Sequence, residues 1–221
     1  DDLLLVHAAW PTASRDAVFF GPDSYRFAQL IHDHLSSTPE RVQHAVDIGC
    51  GNGVGALVIA RAAQHAQVCA VDINPMALRY TAINAALAGV ANVSVEHSDL
   101  LNDIAGTFDL IVANPPYMLD AGQRAYRHGG GALGAELSLR IVDQARERLS
   151  PGGTLLLYTG VAIVEGRDAL LEAVRLRLAG PAFSWFYREL DPDVFGEQLL
   201  EPGYEQVERI AAVALTVTRR G

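Results

Sequence analysis

The chain has 221 residues, half of them hydrophobic and 19% charged, with a net charge of −9 and a pI near 5.2. That composition supports one sizeable core and argues against a partner held by a broad basic surface, as nucleic acid requires. It leaves a local basic patch open, with "RAYRH" at 124–128 as the candidate, while no apolar run reaches the ~18 residues of a membrane span and no signal-peptide pattern is visible.

Cys50 and Cys69 form no CxxC pair, so neither a zinc site nor a disulfide framework is expected, and a reducing cytoplasm is the expected home. "HDH" at 32–34 reads as a solvated helix face rather than a metal pair, and no metal is expected.

In chain order, "LLLVHAAW" and "DAVFF" suggest a hairpin and "DSYRFAQLIHDHL" a helix with Pro22 and Asp23 at its start. Residues 1–40 thus read as an extension, and residues 41–221 as the main domain. "HAVDIGC" (44–50) is an apolar strand ending at glycines, "VGALVIARAAQHA" (54–66) a helix and "QVCAVDI" (67–73) a second strand. Asn74 caps the next helix with Pro75 at its first position. Met76, Tyr80, Ile83 and Leu87 recur on it at helical spacing, and Gly89 stops it. "NVSVEH" (92–97) and "FDLIVAN" (108–114) are strands, and residues 135–149 a helix with Leu137, Ile141, Ala145 and Leu149 on one face. "PGGTLLLYTG" (151–160) is a turn and fifth strand, and a helix over about 165–179 follows. "AFSWFYREL" (182–190) and "ERIAAVALTVTR" (208–219) are final strands joined by a long insert at 191–207. The pattern predicts an α/β, Rossmann-like, doubly wound sheet of seven mostly parallel strands with an antiparallel final strand.

Three features carry chemistry. "DIGCGNG", Asp47 to Gly53, follows a strand and opens a helix, where glycines let backbone approach a ligand or make a tight turn. Asp72 ends the second strand and can accept both hydroxyls of a ribose; Asp99, after the third, can bond an adenine amino group or cap a turn. "NPPY" ends the fourth strand. Pro115 and Pro116 must stop it. A plain turn is one reading, since both dipeptides are ordinary turn formers. The other is a rigid corner that aims two acceptors, the Asn114 amide oxygen and the Pro115 carbonyl, at a planar –NH2 group, with the Tyr117 ring to stack on it or stabilise a cation.

With "DIGCGNG", Asp72 and "NPPY" in this strand order, the chain resembles class I S-adenosylmethionine (SAM)-dependent methyltransferases over about residues 18–220. The NPPY form resembles the amino- and amide-methylating branch, which includes adenine-N6 and release-factor glutamine enzymes. "VFFGPDSYRF" resembles a segment preceding the fold in the glutamine group, where a Pro and an Asp/Glu-Thr pair lie near the cofactor, with Ser24 here where Thr is usual; "HGGGALGAELSLRIVDQARERLSPGG" resembles that group's downstream segment, and "LLLYTG" lacks the glutamate of the bacterial release-factor enzymes. The resemblance implies that residues 41–221 form the methyltransferase domain. It implies Asn114, Pro115, Pro116 and Tyr117 as catalytic residues. It implies Asp47, Gly49, Cys50, Gly51, Asn52, Gly53, Asp72, Ile73, Asp99, Leu100 and Asn114 as the SAM site. The implied acceptor is a protein glutamine, as in release factors; the alternative is an amino group of an RNA or DNA base, and a third reading is a SAM-binding module without catalysis. No membrane partner is expected.

Overall fold

The computed structural model describes residues 3–9, 12, 14–36, 39–119 and 127–221, apart from the side chain of Ala132. In chain order the first half holds α1 (Pro22–Leu35), β1 (His44–Ile48), α2 (Val54–Ala62), β2 (Gln67–Asp72), α3 (Pro75–Ala88), β3 (Val93–His97) and β4 (Phe108–Ala113). The second half holds α4 (Glu136–Arg148), β5 (Leu149–Val164), β6 (Arg167–Asp168), α5 (Ala169–Arg177), β7 (Phe183–Asp191) and β8 (Arg209–Arg219).

The strands form one sheet in the order β3-β2-β1-β4-β5-β8-β7. β3, β2, β1, β4 and β5 are parallel, β8 runs antiparallel to both β5 and β7, and the two-residue β6 pairs with β5 off this path. The expected seven-strand path is therefore present, with β6 as an eighth, short strand. Because β1 feeds β2 on one side and β4 lies on its other side, the direction of winding reverses between β1 and β4. Ligands of open α/β sheets bind at such a point.

Alternation along each strand divides the core in two. Ala45, Leu110, Val112, Leu156 and Tyr158 face Phe27, Ile31 and Leu35 of α1 and Ile59 of α2. Val46, Ile111, Ala113, Leu155 and Leu157 face Ile141, Val142 and Ala145 of α4 and Leu170 and Val174 of α5. Tyr158 thus points from mid-sheet toward α1.

Three expectations need correction. The stripe of Met76, Tyr80, Ile83 and Leu87 is not the buried face of α3; Leu87 is 60% exposed, and Ala77, Thr81, Asn84 and Ala85 are buried instead. The helix lies close against the glycine loop, where only small side chains fit, and its polar residues serve loop carbonyls: Thr81 donates to Gly51 O (3.1 Å) and Asn84 to Asn52 O (2.8 Å). Among the described residues the expected N-terminal hairpin shows a single backbone bond, Ala8 N–H to Val18 O (2.9 Å), and no strand. Val6 bonds the Asn84 side chain instead of a strand partner. Finally, β5 is longer than predicted and takes in Leu149, while β6 delays the next helix until Asp168 caps it by accepting from Leu171 N–H (2.8 Å).

The Asn74 cap is as predicted: its side chain accepts from Met76 N–H at 2.9 Å, with Pro75 opening α3. His32 and Asp33 are exposed, and among the described residues no group of three His, Cys, Asp or Glu could hold a metal. Most of "RAYRH", residues 124–126, lies outside the described residues. No helix among those described is long and apolar enough to cross a membrane.

Candidate active site

A cavity of about 290 Å³ opens at the carboxyl ends of β1 and β4. Its first half is the glycine loop. Gly49, Gly51 and Gly53 all take positive φ, which turns the chain sharply from β1 into α2. Gly49, Cys50, Gly51 and Asn52 line the cavity. Asp72, at the end of β2, ties this loop down: Oδ2 accepts from Gly51 N–H (3.0 Å) and Oδ1 from Asn74 N–H (2.8 Å). A carboxylate has further lone pairs beyond these two bonds, so Asp72 keeps capacity for a ligand hydroxyl. Burial raises its pKa above the usual carboxylate range.

Asn52 is 2% exposed, borders the cavity, and its Nδ2 has no hydrogen-bond partner among the described residues. Buried donors are rarely left so, and this one suits an acceptor on a polar ligand. Ile73 and the left-handed Leu100 (φ 55°) supply apolar surface nearby. Asp99 reaches the rim, where its Oδ2 is held by Arg140 at 2.9 Å. Asp47 and Gly53 stand one layer behind. Asp47 Oδ2 accepts from Ala56 N–H (2.8 Å), Oδ1 has no partner among the described residues, and burial pushes its pKa up to about 7.

The second half is the Asn114–Tyr117 corner. All four residues line the cavity, opposite the glycine loop. Neither the Asn114 side chain nor the Pro115 carbonyl has a hydrogen-bond partner among the described residues. Two acceptors on cavity-lining residues therefore stand without a partner among the described residues. The corner is backed by the glycine tract before α4: a Cβ on Gly134 would lie 2.1 Å from the Tyr117 carbonyl oxygen. Met118 N–H and O bond Arg127 O and Gly129 N–H, both at 2.9 Å, fixing the exit of the corner.

Tyr117 itself is gripped on several sides. Its hydroxyl donates to Asp23 Oδ2, and the hydroxyl of Tyr158 donates to Asp23 Oδ1 at 2.7 Å. Burial, with Asp23 beside it, pushes the Tyr117 phenol well up, so it stays protonated. The ring edge meets Gly160, where a Cβ would lie 2.1 Å from Cε2. Phe195, from the insert before β8, packs at 6.2 Å between centroids.

Residues 14–164 match the model of the family described as "Methyltransferase small domain". The chain belongs to the methyltransferase small domain family. It is 36% identical over 163 residues to the release factor glutamine methyltransferase of Deinococcus radiodurans, covering 69% of this chain and 55% of that protein. It is 35% identical over 142 residues to the ribosomal protein uL3 glutamine methyltransferase of Neisseria gonorrhoeae, covering 59% and 46%. The chain thus spans about half the length of the curated relatives it matches. Among solved structures, the ribosomal protein L11 methylase of Lactobacillus delbrueckii has the same fold, with a TM-score of 0.62 at 20% identity over 91% of this chain and 81% of that one.

The part of this small methyltransferase domain matched by the family model holds the glycine loop, Asp72, the Asn114 corner, Asp23 and Tyr158; Phe195 lies beyond it. Of the residues expected from sequence, all but Asp47 and Gly53 line the cavity. Sequence reasoning missed Val18 and Phe19, which wall the cavity from the N-terminal side, and Phe195 and Glu197 from the insert. The length of the insert was the one signal for the latter pair.

Proposed function

We propose that the chain is a SAM-dependent N-methyltransferase that methylates a planar amide nitrogen, in the first place a protein glutamine side chain. The observation that carries this reading is the pair of acceptors without a partner among the described residues, Asn114 Oδ1 and Pro115 O, on residues that line the same cavity as the glycine loop and Asp72. The donor set fits the cofactor: Asp72 for hydroxyls, the orphaned Asn52 amide for an acceptor, and Ile73 and Leu100 for an apolar ring. SAM supplies a methyl group made electrophilic by a positively charged sulfur. Residues 41–221 are proposed as the catalytic unit, with residues 1–40 as an extension closing the cofactor side. A reducing cytoplasm fits two free cysteines, one of them buried.

An amide nitrogen is a weak nucleophile because its lone pair is delocalised. Asn114 and Pro115 would each accept one N–H of the primary amide, holding the nitrogen at a fixed attitude to the cofactor side. As nitrogen becomes positive, both acceptors and the electron-rich Tyr117 ring stabilise the charge. The nitrogen would gain the methyl as the methyl–sulfur bond breaks with its electrons left on sulfur, and the methylated nitrogen would then give one N–H proton to water, so no strong base is required. Two prolines keep the acceptors from relaxing toward other partners.

The test uses radiolabelled SAM and fractionated cell material treated separately with protease and nuclease. Label removed only by protease supports the glutamine reading. Label removed only by nuclease replaces it with a nucleic-acid base, and binding of SAM without transfer to any fraction overturns the catalytic reading.

A further inference from the structure

We propose that Asp23 is a positioning residue that fixes the Tyr117 ring at the acceptor side of the cavity through the tyrosine's hydroxyl; this rests on the methyltransferase reading above. Asp23 sits in the first turn of α1, a favourable place for an acid. It is 7% exposed and borders the cavity. Each of its carboxylate oxygens takes one phenol: Tyr117 from the corner after β4, and Tyr158 from the middle of β5. Arg26, one turn along α1, lies 3.6 Å from Asp23 Oδ1 and 2.5 Å from Asp191 Oδ2. The same acid is thus linked to the base of the insert that delivers Phe195.

Packing holds this ring on two sides, with its edge close against the backbone at Gly160 and Phe195 meeting it at an interplanar angle of 62°. The hydroxyl bond to Asp23 is the polar restraint at the far end. Charge-assisted bonds of this kind are about twice as strong as neutral ones, and the paired Tyr158 donor stiffens the acid that makes it. A ring held in this way meets the nascent cation at a constant distance; a ring free to tilt does not.

The experiment is a double-mutant cycle of Asp23→Asn and Tyr117→Phe, with a short synthetic peptide carrying one glutamine as acceptor and SAM affinity measured by calorimetry. Asp23→Asn is expected to lower kcat about 10–100-fold, with the Kd for SAM changed by less than about twofold. In the Tyr117→Phe background the same change is expected to cost less than about threefold, because the hydroxyl through which Asp23 acts is gone. Losses that multiply, or a loss confined to SAM affinity, overturn the proposal.

A second readout does not depend on transfer. In protein carrying ring-13C tyrosine and bound product cofactor, the Tyr117 ring is expected to flip faster in Asp23→Asn than in wild type, the signal being assigned by its loss in Tyr117→Phe. An unchanged flip rate overturns the clamp even if the peptide is methylated. If the wild type transfers nothing, the methyltransferase reading fails by itself, and the flip rate still decides the clamp.

Discussion

The side chain of Asn84 closes both backbone bonds of Val6, accepting from its N–H at 2.7 Å and donating to its carbonyl at 3.0 Å, across 78 residues of chain. The same amide nitrogen donates to Asn52 O in the glycine loop at 2.8 Å. One buried residue on α3 therefore ties the N-terminal segment to the cofactor side of the cavity. Asn84→Ala leaves several backbone groups unpaired and should destabilise the fold by about 2–3 kcal/mol. Chemical denaturation gives this directly, and a shift under about 0.5 kcal/mol would refute the tie.

Asn114→Ala removes one of the two unsatisfied acceptors. Methyl transfer should fall by about 100-fold or more while SAM affinity stays close to wild type, as for an interaction made mainly in the transition state. Single-turnover rates and calorimetry separate the two effects. Unchanged turnover would remove Asn114 from the reaction.

Gly160→Ala places a methyl group inside the Tyr117 ring. Overpacking of this kind costs about 1–3 kcal/mol. The cost should largely vanish in a Tyr117→Ala background, since the clash is with that side chain. Equal losses in both backgrounds would locate the strain elsewhere.

Asp47 gives a pH dependence with a definite sign. Burial raises its pKa from an ordinary 3.8 to about 7. The folded state then holds a proton that the unfolded state has released, so stability falls as pH rises from about 4 to 7. Asp47→Asn should flatten this slope in denaturation measured across that window. A slope that persists unchanged would assign it to other groups.

The parts legible in the sequence are those built from neighbouring residues. The glycine loop, Asp72 and the Asn114 corner each announce themselves within a few positions of a strand end, because a turn needs its special residues where it turns. The face of α3 does not. Periodicity of large apolar residues selects Met76, Tyr80, Ile83 and Leu87, whereas close approach to a loop selects the small and polar Ala77, Thr81 and Asn84. Asp23 is visible as a helix start, but its partners lie 94 and 135 residues away, and no local rule reaches that far. The insert is readable as unusual by its length, while the use of Phe195 against Tyr117 depends on how β7 and β8 bring it back over the sheet.

Those separations have a consequence for how the domain assembles. The nucleoside side of the proposed site is made by β1, β2 and the loops between residues 47 and 100, whose ends need travel only a short way to meet. The Tyr117 grip waits for α1, β5 and the insert before β8, all distant along the chain, and contacts that close long loops tend to form late and open early. Loss of that grip before the rest of the fold would leave the proposed cofactor seat intact beside a loose acceptor wall. On the proposed reading, such a molecule would keep its methyl donor bound while transfer stops.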